Sequence, residues 1–369
     1  MGKHILYQSI DECLGPARTR FFGSGHRRAR HLVRDVTVVP PGLVKPAGVT
    51  ATVSVAYPRD WSRKAMGEDL RPHLSTIDTL LLGAQLSEVY LAGALGLDAD
   101  RLRLARLRRV TLHAGAAPQE DLVDLVATAV PLRSVPIQGR DEVGTTFDCS
   151  IGAMRARCLV EHAPEQPAGV SGTTIRYDGW DRILAPATDR YYGDGFRHRG
   201  VDLTDVVAQL DDRTVSAVAQ VRPDATPGSQ QGMFPAGLDG AYQPTMSMVE
   251  AFVTGLQLAQ VLMYELDGVC RQQSGTLWML NTALEAGPAP VPLDGPTLAR
   301  FRCPGWRLLP VRDETWRNLD IVGTVGGLSL RSSIAHRLPE AAAAAAKDAD
   351  PGHVRSMARS VPVAQGVHS

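Results

Sequence analysis

The sequence predicts an α+β protein, a tandem double hotdog in which two diverged copies of one unit, each a long buried helix wrapped by antiparallel sheet, are related by a pseudo-two-fold axis. Three observations predict it. The chain repeats itself at a nearly constant spacing, each half holds a helix-length run that is apolar nearly all round, and strand-like alternation flanks each run. A generic duplicated α+β sandwich is the alternative on the same grounds.

The repeat rests on three anchors. LGPARTRFFGSGHRRA from Leu14 is answered by LAPATDRYYGDGFRHR from Leu184, so that Gly23 and Gly25 fall on Gly193 and Gly195. RPHLSTIDTLLLGAQLSEVYL from Arg71 is answered by QPTMSMVEAFVTGLQLAQVLM from Gln243, with Gln85 on Gln257. Gly152 and His162 pair more weakly with Gly326 and His336. Three anchors in nearly constant register divide the chain into a first hotdog-like unit over 1–170, a second over 171–338 and a tail over 339–369. The alanine run and the Asp, Pro, Gly and Ser of that tail have little to bury, which predicts a frayed helix followed by disorder.

Within each copy the expected order is strand, helix, strand, strand, strand. Val49 to Tyr57 and Thr214 to Val221 alternate as half-buried strands do. The helices follow. Ile77 to Leu95 carries only Asp78 and Glu88 as charges, and Met248 to Leu266 only Glu250 and Glu265. Later strand-like runs are Arg108 to His113, Leu122 to Leu132 and Phe147 to His162, then Leu298 to Phe301, Trp306 to Val311 and Leu319 to His336. A membrane-spanning reading of the helices is unfavourable, because a carboxylate in the first turn and glutamines at 85, 257 and 260 are costly in lipid.

Charge and cysteine content exclude several function classes. Lys plus Arg equal Asp plus Glu at 39 each, which argues against a nucleic-acid coat, an acidic-substrate funnel or a membrane-surface binder. Five cysteines, Cys13, Cys149, Cys158, Cys270 and Cys303, are scattered without C-x-x-C spacing, against a disulfide framework or structural zinc. No signal peptide is evident beside Asp11 and Glu12, and a reducing cytoplasmic location is expected. No cofactor and no metal is expected, since His162 and His336 end matching strands without a convincing ligand set.

The polar residues of the helices are the candidate site. Ser75 with Asp78, and Ser247 with Glu250, have the spacing of a capping box. Asp78 and Gln85 lie two turns apart on one face, and the stripe Ser75, Asp78, Gln85 recurs as Ser247, Glu250, Gln257. Polar groups on a buried helix need partners or a cavity, and a substrate tunnel supplies both. Helix-start amides can hold a carbonyl and its developing oxyanion, and a carboxylate one turn inward can act as base. His73 sits at the mouth of the first helix, and its counterpart is Thr245. The expected catalytic set is therefore His73 with Glu250 across the two copies, assisted by Asp78, with Ser75, Gln85, Ser247 and Gln257 binding substrate. Gly23 and Gly25 read as a tight turn rather than a phosphate loop. The adjacent cluster of Arg27, Arg28, Arg30 and Arg34 with His26 and His31 suits either solvated surface or a contact to a pantetheine phosphate or an acidic carrier protein.

The strings SIDECLGPARTRFFGSGHRR, DLRPHLSTIDTLLLGAQLSEVYL, AGAAPQEDL and GAYQPTMSMVEAFVTGLQLAQVLMYELDG resemble the AvrD family, the syringolide synthases, over Ser9 to Pro339. That family looks related in architecture to the A-factor synthases. The resemblance implies transfer of a 3-oxoacyl group, carried on acyl carrier protein or coenzyme A, to a hydroxyl of D-xylulose or a similar small sugar. An aldol-type closure then gives a butenolide, the precursor of syringolide-like signal molecules. The resemblance carries over no catalytic residue position by position. A hotdog thioesterase or dehydratase, or a non-catalytic binder of an acyl ligand, are the competing readings. The histidine and glycine-proline turn of hotdog dehydratases are missing. Neither nucleic acid nor membrane is an expected partner, and a fused pair suits either a monomer or a homodimer.

Overall fold

The computed structural model describes residues 3–43, 45–61, 71–115, 117–165, 173–223, 233–274, 277–311 and 314–349. The first copy runs β1 (His4–Ser9), α1 (Ile10–Leu14), β2 (Arg30–Val39), β3 (Gly48–Ala56), α2 (Thr76–Gly93), α3 (Ala99–Leu104), β4 (Arg106–His113), β5 (Leu125–Pro136), β6 (Val143–Ile151) and β7 (Met154–His162). The second runs β8 (Ile175–Tyr177), β9 (Arg199–Gln209), β10 (Thr214–Pro223), α4 (Met248–Asp267), β11 (Leu277–Ala286), β12 (Thr297–Val311), β13 (Glu314–Val325) and β14 (Leu328–Arg337). A last helix, α5 (Glu340–Ala349), follows.

All described strands join one 14-stranded sheet in the order β1-β9-β10-β12-β13-β14-β11-β4-β7-β6-β5-β3-β2-β8. Its centre is the antiparallel β11–β4 seam, where Leu284 stands opposite Val110. Each side of the seam is the sheet of one copy except at the rim. There the first strands are exchanged, β1 pairing with β9 and β8 with β2. The alternation of β10 and β3 puts their apolar residues on the helix side, as a one-faced sheet requires.

The two long helices are the filling of this sheet. Every residue from Thr76 to Leu91 and from Met248 to Tyr264 is buried. A helix enclosed on all sides has no face to reserve for water, which is why each run is apolar all round. The helices approach the sheet at matching glycines. A Cβ on Gly255 would lie 2.4 Å from Leu330 and one on Gly83 3.3 Å from Ala156, so a side chain at Gly255 would displace the end of Leu330 from its packing. Each copy also reaches across the pseudo-dyad with an equivalent arginine. Arg20 donates to Gln257 of α4 at 2.7 Å, and Arg190 donates to Glu88 of α2 at 3.1 Å. This is the double hotdog architecture, and no described helix is long and apolar enough to cross a membrane.

Several elements differ from the sequence expectation. Three strands, not one, precede each long helix once the exchanged strands and β2 or β9 are counted, and β11 was not anticipated. The runs at Leu298 and Trp306 form a single strand, β12, interrupted by a register shift between Arg302 and Gly305. Conversely, Phe147 to His162 and Leu319 to His336 each contain a hairpin, turning at Gly152 and Gly326 with φ of 53° and 54°, a left-handed conformation natural to glycine. Of the tail, α5 covers Glu340–Ala349, and the stretch expected to be disordered lies outside the described residues.

Candidate active site

The two helix N-termini start alike. Ser75 accepts from the Asp78 amide at 3.1 Å while its own amide donates to Asp78 Oδ2 at 3.3 Å. Ser247 accepts from the Glu250 amide at 3.3 Å, and its amide donates to Glu250 Oε2 at 2.7 Å. Both are complete capping boxes.

They are finished differently. Asp78 Oδ1 lies 2.7 Å from Nε2 of His31 on β2, and Oδ2 accepts from the hydroxyls of Tyr57 and Ser75. The His31 ring stacks on Phe196 of the second copy, with centroids 6.5 Å apart. Burial pushes the Asp78 carboxyl up, but the hydrogen bonds from His31, Ser75 and Tyr57 outweigh it and hold the group below the usual aspartate value. Burial, together with the Asp78 charge, raises the Tyr57 phenol well above its ordinary value, so it remains a donor. At α4, Arg199 of β9 takes the place of a histidine. Its Nη2 donates to Glu250 Oε2 at 2.9 Å and to the Thr245 carbonyl at 2.7 Å, its Nη1 donates to Gln243 at 2.7 Å, and its Nε is 2.8 Å from Glu250 Oε1. The guanidinium also sits over the Tyr191 ring.

This corrects the expected pairing. His73 and Glu250 are not brought together: they belong to the mouths of different helices, and Glu250 is consumed by Arg199. The histidine on a helix carboxylate is His31, and its carboxylate is Asp78. Because Asp78 already accepts from His31, from Tyr57 and from both the amide and the hydroxyl of Ser75, it is a fixed charge rather than a free base. Gln257 is held by Arg20 and by donation to the Val253 carbonyl at 3.1 Å, so the stripe Ser247, Glu250, Gln257 satisfies itself within the protein. Gln85 is buried and makes no side-chain hydrogen bond among the described residues.

His73 does face a cavity, of about 130 Å³, between the start of α2 and the second half of α4. The first copy contributes Phe21, Phe22, Trp61, His73, Ser75 and Thr76, and the second Gln260, Tyr264, Arg271 and Trp278. The ring of His73 meets Trp61 edge-on at 5.4 Å, and its Nδ1 lies 3.3 Å from the Arg71 carbonyl. Burial lowers its pKa, which leaves a neutral imidazole at neutral pH. The capping box uses the amides of Ser75 and Asp78, whereas those of Thr76 and Ile77 meet no acceptor among the described residues. Arg20 and Arg271 bring two guanidinium groups to the same walls. Burial, opposed by Asp11 and reinforced by Arg271, lowers Arg20 to about 10, still cationic at neutral pH.

The equivalent space at α4 is only about 40 Å³. Met246 fills it by packing on Gly326, where a Cβ would fall 2.8 Å from the methionine sulfur. A shallow hollow of about 780 Å³ lies over β9 to β14, lined by Gln209, Ser216, Glu285, Arg300 and Arg331, away from both helix N-termini.

The sequence reading missed His31, Tyr57, Arg20 and Arg199 as partners of the helices. His31 stood within the basic cluster, and the alternation of RHLVRD was the one signal that it faces inward. Arg199 gave none, because the repeat sets it opposite Ala29 and sets His31 opposite Val201.

Fold and site together define a class: a double hotdog protein with an open cavity at a helix N-terminus, walled by both copies. The chain belongs to the AvrD family, since the family described as Pseudomonas avirulence D protein (AvrD) matches residues 4–339. No curated protein matches it. Among solved structures, it is similar to a conserved hypothetical protein of Mycobacterium tuberculosis with a double hotdog fold, at 11% identity, covering 72% of this chain and 82% of that one with a TM-score of 0.36. A tesB protein of Mycobacterium avium subspecies paratuberculosis gives 9% identity, 72% and 88% coverage and a TM-score of 0.34. A dehydratase domain from the CurJ module of the curacin polyketide synthase gives 12%, 83% and 96%, and 0.32.

Proposed function

We propose that this protein is an acyltransferase that joins a 3-oxoacyl thioester to a hydroxyl of a small sugar such as D-xylulose and then closes the ester to a butenolide. The observation that carries the reading is the cavity at the start of α2. It combines the Thr76 amide at the helix start, which meets no acceptor among the described residues, a neutral histidine, two guanidinium groups and an aromatic wall in a volume suited to the reacting ends of two small polar groups rather than a whole acyl chain.

In the transfer step the sugar oxygen bonds to the thioester carbonyl carbon, the C–S bond breaks, and the hydroxyl proton ends on sulfur. The amide of Thr76, at the positive end of α2, faces the oxyanion that forms in between. In the closing step His73 takes the proton between the two carbonyls of the ester, and the carbanion adds to the sugar ketone, with loss of water giving the ring. Arg20 and Arg271 balance the charge of the enolate. Asp78 positions the helix start through Ser75, His31 and Tyr57, and Ser75 borders the pocket it caps.

The test is to present a 3-oxoacyl thioester with and without xylulose and to follow free thiol and product mass. Sugar-dependent thiol release with a product of the condensed mass is expected. Thiol release indifferent to sugar would make the protein a thioesterase, and binding without turnover would make it an acyl-ligand binder. His73→Asn should stall the reaction at the open ester, lowering butenolide formation by about 10²–10⁴-fold.

A further inference from the structure

Opposite His73, the wall supplied by α4 opens onto a second chain of acid–base groups that no part of the reading above uses. Tyr264 lines the cavity. Burial raises its phenol, and the neighbouring Ser274 hydroxyl opposes that rise more than any other group, while Gln260 Nε2 donates to the phenol oxygen at 3.4 Å. Ser274 Oγ lies 3.2 Å from His336 Nδ1, and His336 Nε2 lies 2.8 Å from Asp267 Oδ2. The other oxygen of Asp267 accepts from Arg317 Nε at 2.8 Å. His336 and Asp267 are fully enclosed, with side chains at 0% exposure. A hydroxyl, an imidazole and a carboxylate in series are the parts of a relay that moves a proton without moving a heavy atom.

The other copy lacks it. His162, which the repeat sets opposite His336, bonds Thr145 and the Ala163 carbonyl instead, and positions 92 and 95, opposite Tyr264 and Asp267, are Ala92 and Leu95. A chain built only to tie a helix end to the sheet would serve both halves equally. This one occurs on the one wall that faces the open cavity.

We propose that Tyr264, Ser274, His336 and Asp267 form a proton shuttle serving acyl transfer, with Tyr264 as the catalytic residue at the cavity and the other three as positioning residues behind it. The proposal rests on the acyltransfer reading above. The Ser274 hydroxyl, a rotor, first turns from the phenol oxygen to His336 Nδ1; as the sugar oxygen bonds to carbon, its proton then passes to Tyr264, the phenol proton to Ser274, and the serine proton to His336 Nδ1, leaving an imidazolium against Asp267. When the C–S bond breaks, the same chain runs backwards and the departing thiolate takes the proton from Tyr264. Every proton is returned and no other reactant is needed.

The experiment compares the full chain with Tyr264→Phe, Ser274→Ala and His336→Gln, using an N-acetylcysteamine 3-oxoacyl thioester and two acceptors. Xylulose needs its hydroxyl deprotonated, whereas hydroxylamine attacks through a free amine pair and needs no base. The shuttle requires transfer to xylulose to fall about 10²–10⁴-fold in Tyr264→Phe and Ser274→Ala, with KM for the thioester little changed, while transfer to hydroxylamine falls far less. An equal fall with both acceptors would reduce the chain to a structural tie, and no fall with either would remove its role altogether. An acyl group found on Ser274 by peptide mass would replace the shuttle with a nucleophilic serine. Should His336→Gln fail to fold, the two cavity-side variants decide alone. A wild-type protein that releases no thiol to xylulose overturns the acyltransfer reading itself, and the shuttle as stated with it, whereas active wild type with unaffected variants overturns only the shuttle.

Discussion

Arg27 and Arg197 donate to each other's main chain across the pseudo-dyad, Arg27 Nη1 to the Arg197 carbonyl at 3.4 Å and Arg197 Nη1 to the Arg27 carbonyl at 3.2 Å. Arg197 also bonds the Ala29 carbonyl and sits over Phe196, the ring that stacks on His31. Removing Arg197 strands two carbonyls of the other copy. Arg197→Ala should therefore cost about 1–3 kcal/mol in urea unfolding, and Arg27→Ala less.

The Arg199–Glu250 pair makes a sharper stability test, since both side chains are nearly sealed from water, at 2% and 3% exposure. Arg199→Ala leaves a buried carboxylate without a counter-charge and should cost about 3–5 kcal/mol. Replacing both at once, with Arg199→Met and Glu250→Leu, should recover most of that loss. A double variant no more stable than the single one would show that Arg199 acts mainly through Gln243, Thr245 and Tyr191.

Acid stability should depend on Asp78. Its folded pKa lies below its ordinary 3.8, so its contribution is fully present above that value and is lost as pH falls through the lower folded one. Asp78→Asn is expected to lower stability at pH 7 by roughly 1–3 kcal/mol, and the gap to wild type should close below about pH 4. A gap constant from pH 7 to pH 2, followed by circular dichroism, would contradict the assignment.

Asp239 should behave in the opposite sense. Burial, only partly opposed by Tyr192 and the Leu107 amide, raises its carboxyl from 3.8 to about 6. A raised carboxylate favours the fold below its unfolded value and loses that advantage as pH rises through the folded one. Asp239→Asn should thus stabilise the protein at pH 8 by at most about 3 kcal/mol, with no gain at pH 4. Its backbone is left-handed, φ 63°, a conformation that asparagine also tolerates, so the substitution adds no strain.

Much of the architecture was legible in the sequence because duplication writes the same physical requirement twice. Gly83 and Gly255, the two Ser-capped helix starts and the glycines at 152 and 326 each recur at nearly the same spacing, and each answers a steric or hydrogen-bonding need that both copies share. What did not recur was not legible. The exchange of β1 and β8 depends on which rim each short strand reaches, and nothing in six residues such as HILYQS records the partner. The site suffered most: the partners of Asp78 and Glu250 come from strand positions that are out of register in the repeat, and Tyr264 and Asp267 align with Ala92 and Leu95, so the repeat gives them no counterpart.

The lock on Glu250 has a meaning for how such a protein can change over time. In an assembly of identical subunits, an arginine that shuts one pocket shuts its twin as well, and a histidine gained in one is gained in the other. Joining the subunits into one polypeptide removes that constraint. One half is then free to give up chemistry and specialise as a wall, while its neighbour keeps the opening, and substitutions on the closed side can be judged by rigidity alone.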